Sequence, residues 1–477
     1  MAARTTMELT AWDWGIVGAY VVGLMLVGFV GVARRSSSEH HTEAEEFLVA
    51  GRRLTLPLFV ATLVATWYGA ILGVGEFVYR YGIVAWLCIA VPYYVVALLF
   101  AATVAGRIRA SQTLSIPEQM GHLYGEGVAR VAAGVVLIVT VPAAYLLMVA
   151  TLVRALTGWS LEACLVLGAL FSVAYLYMGG FYANVLTNAL QFVLMYSGFA
   201  ALVYFSWQQF GTPELMWSLL PPTHRSIPGL LGWGTVAVWW VIALQTFVDP
   251  NFYQRCAAAR SVRTAQWGIA LSVLFWLAFD TLSITAALYA RAFIPTEPLN
   301  AYPALADAVL PAGWKGMFVV ALLATVMSTL ESYAFVSAAT LGRDILGRIP
   351  SLAARYSVRR LTQVGLVLSV TAAGVLAWAI PSAVELILRT ASVAVPALLF
   401  PFVLGYNARY QLPARRIGWL MGVTASSSLG WMVLREAQLV PVGVRWIEPA
   451  FLGILFGAVM SLFWGQRRPW NGLSLTS

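Results

Sequence analysis

Four hydroxyl-bearing residues, Thr325, Ser328, Thr329 and Ser332, fall at i, i+3, i+4 and i+7 within an otherwise apolar run. On a helix this spacing puts them on one stripe with Ala321. Any one such hydroxyl is satisfied by its own helix. An aligned set also offers a ring of hard, uncharged oxygens suited to a monovalent cation such as sodium. Glu331 lies off the stripe, and a carboxylate near membrane depth requires a partner. Between Ala65 and Glu76, the residues Gly69, Gly73 and Gly75 follow the aromatic pair Trp67 and Tyr68. They form either a close-packing surface or a helix break that frees carbonyls to coordinate an ion. Asn184, Thr187, Asn188 and Gln191 repeat the helical spacing as an amide-rich face, open to interhelical hydrogen bonding or to a ligand. Further on, Trp239, Trp240, Gln245 and Thr246 precede Asp249, Pro250 and Asn251, and Pro250 ends or kinks its helix. The two tryptophans read as packing residues or as a solute platform. His40 and His41 stand beside Glu43, Glu45 and Glu46, but their spacing is not that of metal ligands, and a solvated loop is the better reading.

The elements that position these groups are membrane helices. Of the 477 residues 60% are apolar and 10% charged, against about 45–50% and 25% in soluble domains. The mean hydropathy is +0.80. Soluble enzyme, nucleic-acid binder and secreted scaffold are excluded, and no nucleophile–base pair or metal-ligand set suggests an enzyme. Runs long enough to cross a bilayer number thirteen: 13–34, 55–79, 84–105, 127–155, 160–180, 183–206, 229–249, 264–290, 314–341, 361–380, 384–406, 416–434 and 447–465. The expected class is an all-α polytopic membrane protein. Of the 29 basic residues, 28 are Arg and Lys315 is the only lysine. Alternating loops hold 20 arginines, Arg34, Arg35, Arg255, Arg409 and Arg468 among them, against 7 that include Arg4, with Arg389 and Lys315 left within spans. By the positive-inside rule the N-terminus is outside and the C-terminus cytoplasmic, in a cell (inner) membrane. Cys88, Cys164 and Cys256 lie in or beside apolar stretches and do not form a disulfide framework. The polar start shows no cleavable signal pattern.

These stretches, in this order, resemble the sodium:solute symporter family, which includes bacterial proline, pantothenate and sialic-acid symporters and the sodium/glucose cotransporters. The motifs that carry the resemblance run from Glu46 to Leu54, from Met178 through Gly179 and Gly180 to Gln191, from Asp249 and Pro250 through Gln254 and Arg255 to Ser261, and from Met327 to Ser332 with Arg343 to Ile345. The resemblance implies a LeuT-like inverted repeat of five plus five helices, with one helix before and two after. On this chain the peripheral helix is 13–34, the core about 55–406 and the C-terminal pair 416–465. It implies one transporter domain over 1–477, with sodium and solute held at breaks in the first and sixth core helices. The implied sodium ligands are Ala65 and Tyr68 at the first break, with Thr325, Ser328 and Thr329 on the eighth core helix. Two departures stand out. Asn188 occupies a position that is Asp in many members, so one sodium per cycle is expected. The segment from Trp67 to Gly75 is shorter than in familiar members, which makes Trp67 or Gly69 the alternative to Tyr68.

The resulting expectation is sodium-coupled uptake of a small organic solute by alternating access. The monomer suffices for transport, and the partners are sodium, solute and lipid. Candidate solute residues are Trp67, Gly69, Trp240, Gln245, Thr246 and Arg389. Arg389 with Glu385 is either a neutral internal pair or a partner for a solute carboxylate, which favours an amino or organic acid. Trp67, Tyr68 and Trp240 would instead suit a quaternary amine. Sugar is disfavoured, because Lys315 lies near an outer helix end. The rivals are a proton-coupled transporter using Glu76, Asp280 or Glu331, and a sensor module, disfavoured because only twelve residues follow the last span.

Overall fold

Each of the thirteen apolar runs is helical in the structure, a computed structural model that describes residues 7–33, 42–380, 382–407, 410–445 and 447–467. Arg4, Arg34, Arg35, His40, His41, Arg409 and Arg468, named above, lie outside the described residues. Among the described residues nine helices are long and apolar enough to cross a membrane. The thirteen spans emerge because one of these nine is double and three spans are built from shorter pieces. Leu161–Phe210 has 50 residues, about 75 Å if straight and more than twice a hydrocarbon core. It turns at Gly180, where φ is 61° and ψ −150°. A Cβ at Gly180 would lie 2.7 Å from the Phe47 carbonyl oxygen, so only glycine fits. The fifth and sixth spans are the two arms of this element.

The second span is two half-helices, Leu56–Ala65 and Ile71–Tyr81, separated by a non-helical stretch at 66–70. The seventh span matches it. Gly232–Ile242 tightens into a 3-10 turn over Ala243–Val248 and stops at Asp249, and Pro250–Ala258 begins a new helix. Pro250 has no N–H to donate and suits a first-turn position, while the Asp249 side chain caps the new helix by accepting from Asn251 N. These breaks fall in the first and sixth helices of the repeat, five helices apart. The thirteenth span, Pro449–Trp464, is the other short one.

The ninth span, Trp314–Ala339, is the axis of the molecule: 94% of its apolar window is buried, against 28% for the first and twelfth spans. It packs on the sixth span along its length. Gly198 allows this, since a Cβ there would meet the Ala321 Cβ at 2.2 Å. On the cytoplasmic side of the expected orientation, Leu54 N donates to Ala258 O at 3.0 Å and Arg260 N to Leu54 O at 3.0 Å. These bonds tie the entry to the second span to the exit of the seventh.

Candidate ion and solute site

The hydroxyl stripe of the ninth span faces the broken end of the second. Helix Leu56–Ala65 ends without a continuing turn, so carbonyls of its last residues lack intrahelical partners. Two of them accept from the stripe. Ser328 Oγ donates to Ala65 O at 2.7 Å, and Thr329 Oγ1 donates to Thr66 O at 3.0 Å. Both hydroxyls also lie near Thr325 O, at 3.0 and 3.5 Å. Thr325 turns its own hydroxyl back to Ala321 O at 2.6 Å, leaving its carbonyl as the contribution to this cluster. The result is a fully buried group of carbonyl and hydroxyl oxygens from two helices. Hydroxyls both donate and accept. Rotating the two Oγ–H bonds away would leave the Ser328 and Thr329 oxygens free to act as donors of lone pairs beside the Ala65, Thr66 and Thr325 carbonyls.

Tyr68 stands apart from that group. Its carbonyl accepts from Ile71 N at 3.0 Å, starting the second half-helix, and its hydroxyl donates to Trp276 O at 3.2 Å. Thr66, which the sequence reading passed over, supplies the carbonyl beside Thr329. Gly69 lies against the ninth span: a Cβ there would be 2.6 Å from Thr329 Cβ and from the Tyr145 ring. The glycines of this span therefore serve both readings, with the helix broken at 66–70 and Gly69 at the closest approach.

One turn beyond the hydroxyl pair lies a second polar cluster. Arg255, counted above among loop arginines, is instead fully buried. Its Nη2 donates to Thr62 Oγ1 at 3.1 Å and to Ser332 Oγ at 3.0 Å, and its Nη1 to Asn251 Oδ1 at 3.2 Å. Asn188 Nδ2 reaches the same two hydroxyls, at 2.9 and 3.2 Å, and Asn184 Nδ2 reaches Ser332 Oγ at 3.1 Å. The amide face thus bonds between helices. The signal for Arg255 was the proline restart, which places Asn251 and Arg255 four residues apart on one new helix. Glu331 finds neutral partners, Thr187 Oγ1 at 3.3 Å and Gln191 Nε2 at 3.2 Å. Asp280 accepts from the Tyr94 hydroxyl.

The break in the seventh span borders a crevice against the ninth and eleventh spans. Gln245, Asp249 and Tyr333 supply its polar groups, and Val139, Val395 and Leu398 are among its apolar walls. Gln245 donates to Tyr93 OH at 3.0 Å, and Tyr333 OH donates to Asp249 Oδ2 at 3.1 Å. Other candidates lie elsewhere. Trp67 packs into a ring cluster with Tyr93, Phe252 and Trp276. Thr246 is fully buried beside this break, its hydroxyl without a hydrogen-bond partner among the described residues. Trp240 is 38% exposed on the outside of its helix. Arg389 pairs with Glu385 and, at 3.0 Å, with Glu436. Lys315 pairs with Asp307 at 2.6 Å, and Glu76 with Arg80 at 2.9 Å.

Among solved structures, the chain is similar to a Na+-coupled sialic acid symporter in a substrate-bound outward-open state, with a TM-score of 0.73 and 12% identity over 97% of this chain and 100% of that one. It is also similar to Mhp1, a nucleobase-cation-symport-1 family transporter, with a TM-score of 0.58 and 12% identity over 87% and 92%. At such identities these likenesses speak to fold, and the fold is that of the LeuT-like transporters. A choline transporter of Caenorhabditis elegans is 27% identical over 192 residues, which is 38% of this chain and 33% of that protein. Human sodium/glucose cotransporter 4 is 22% identical over 405 residues, which is 72% of this chain and 56% of that protein. The chain thus spans a third to just over half the length of these curated relatives. The model of the sodium:solute symporter family matches residues 47–411. The chain belongs to the sodium:solute symporter family.

Proposed function

We propose that the protein is a symporter that couples the entry of sodium to the import of a small organic solute. The observation that carries this reading is the seating of Ser328 and Thr329 on the open carbonyls of Ala65 and Thr66. The proposed sodium donors are the Ala65 and Thr325 carbonyls and the Ser328 and Thr329 hydroxyls. Thr66 takes the fifth place in this geometry, and Tyr68 takes it if the break rewinds. An ion there bridges the second and ninth spans, so its binding free energy differs between conformers in which those spans are joined or parted. That difference is what lets an ion bias an equilibrium. Each sodium moving inward gains about 2.3 kcal/mol per 100 mV of potential. One sodium per cycle is proposed, because Asn188 brings an amide, already donating to Thr62 and Ser332, where a carboxylate would bring charge.

The proposed setting is the cell (inner) membrane, with the N-terminus outside and the C-terminus in the cytoplasm, each chain working alone. The solute is proposed to sit in the crevice at the second break, beside Gln245 and Asp249. The test is thermal unfolding of the purified protein in sodium and in choline buffers. Sodium is expected to raise the midpoint, and the double substitution Ser328→Ala, Thr329→Ala to abolish that rise together with sodium-dependent uptake. Full sodium dependence in the double variant would refute the site.

A second reading, proton coupling in the same fold, is favoured by one observation. Glu331 and Asp280 are buried carboxylates whose hydrogen-bond partners are neutral. Uptake that survives replacement of sodium at fixed pH would select it.

A further inference from the structure

The crevice at the break of the seventh span has one formally charged group on its walls, the carboxylate of Asp249. Tyr333 OH and Asn251 N each give it one hydrogen bond, at 3.1 and 2.7 Å. A carboxylate offers about four lone-pair directions, so two donors leave it acceptor capacity toward the open side. The other walls are Gln245, which donates to the Tyr93 hydroxyl, and aliphatic side chains of the fourth, seventh and eleventh spans. Positive groups nearby are engaged elsewhere. Arg255, on the same half-helix, attracts Asp249 from behind the crevice wall, but its Nη hydrogen bonds go to Thr62, Asn251 and Ser332, and it is not among the lining residues. Arg389, on the eleventh span ahead of Ala394, is held by Glu385 and Glu436. An anionic solute would therefore bring its charge against Asp249, with no guanidinium or ammonium among the described lining residues to receive it. A neutral polyol would meet few hydrogen-bonding walls.

We propose that the solute carries a cationic nitrogen, an amine or quaternary ammonium, which Asp249 neutralises while Tyr333 orients the carboxylate and the aliphatic walls take an apolar flank. The step from structure to chemistry is that of ion pairing in a dry site. A fixed carboxylate in low dielectric attracts a cation far more strongly than it does in water, and a mismatched charge is rejected by a similar margin. Asp249 also caps the half-helix Pro250–Ala258, so a cation that draws on it pulls on that half-helix. This inference rests on the reading of the protein as a solute symporter and assigns the class of that solute.

The experiment measures the charge preference of the crevice directly. Val395→Cys, on a lining position, is labelled in the full-length purified protein with two methanethiosulfonates, one bearing trimethylammonium and one bearing sulfonate. The native cysteines Cys88, Cys164 and Cys256 are buried, and each is replaced by alanine if the parent protein reacts. The cationic reagent is expected to react about tenfold faster or more, corrected for intrinsic reactivity, and Asp249→Asn is expected to bring the ratio to about one. Leu398→Cys, one turn further along, repeats the measurement should the first variant not fold. Equal rates, a faster anionic reagent, or a ratio unchanged by Asp249→Asn would overturn the proposal. No labelling by either reagent, with or without sodium, would remove the crevice from any solute path and overturn it equally. The sodium-induced rise in unfolding temperature of the parent protein is measured alongside. Its absence with an intact charge preference would sink sodium symport and leave the assignment of Asp249 standing.

Discussion

At the scale of single residues, Arg255 poses the sharpest question of the interior. A charged side chain in the membrane interior costs several kcal/mol unless paired and hydrogen-bonded. The hydrogen bonds of this guanidinium go to Thr62, Asn251 and Ser332, all neutral. Ser332 is one helical turn, about 5.4 Å of rise, from Ser328 of the proposed ion site. Two positive charges about 9 Å apart repel by about 2 kcal/mol at an effective dielectric of about 20. Arg255 would thus hold sodium affinity down and favour release. Asn188→Asp tests this, because Asn188 shares Ser332 and Thr62 with the guanidinium. The added carboxylate would neutralise Arg255. Radioactive sodium binding to the purified variant is expected to tighten about tenfold, and its unfolding temperature to rise. Unchanged affinity would mean that the Arg255 charge is already balanced, with Asp249 the nearest carboxylate on its half-helix.

Elements matter here through how closely they approach. The second span can rest on the ninth only because residue 69 has no Cβ. Gly69→Ala would force Thr329 and Tyr145 away, an overpacking cost of about 1–3 kcal/mol, and would part the oxygens that define the ion site. The sodium-induced rise in unfolding temperature is expected to vanish in this variant. Gly73→Ala is the control, since a Cβ there meets nothing within 4 Å. Alanine at a helical position is worth up to about 1 kcal/mol over glycine, so that variant should be as stable as the parent or more so, with its sodium response intact. The outer connection has a different sensitivity. His224 lies under Gly82, with Nε2 3.1 Å from Tyr79 O and Arg291 Nε 3.3 Å away. Burial, with the Arg291 charge adding to it, pushes the imidazole below its usual range. The unfolded loop then binds the proton more readily. Stability contributed by docked His224 is present above about pH 6.5 and is lost as pH falls below that value toward the depressed folded one. Hydrogen exchange over 212–230, corrected for its intrinsic pH dependence, should show lost protection at pH 5.5 relative to pH 7.5. His224→Phe should remove the difference.

The pattern of what could be read from the chain follows the same division of scales. The hydroxyl stripe was legible because helical periodicity fixes which side chains share a face before any partner is known. The thirteen spans were legible because bilayer thickness sets their length. Thr66 was not, since which carbonyl lies free depends on the residue at which the helix stops. Arg255 was not, because a basic residue after an apolar run looks like loop until Pro250 restarts a helix and carries it inward. Across the whole molecule the arginines do two jobs. They favour one side of the membrane, and they hold that side together. Arg52 donates to Ala257 O at 3.1 Å and to Gln112 O at 2.5 Å, Arg53 pairs with Glu46 at 2.8 Å, and Arg343 with Glu118 at 2.7 Å. The opposite side has far fewer arginines. The proposed orientation predicts that the arginine-rich side faces the cytoplasm and that solute leaves through it. Single cysteines decide this: Ser218→Cys in the connection after the sixth span and Ser351→Cys after the ninth, both at exposed positions. A membrane-impermeant maleimide applied to intact cells is expected to label the first and spare the second, and permeabilised cells should label at both. The reverse pattern would invert the proposed direction of transport. Labelling of both in intact cells would mean that the two connections share one side, and the alternation of the spans between them would fail.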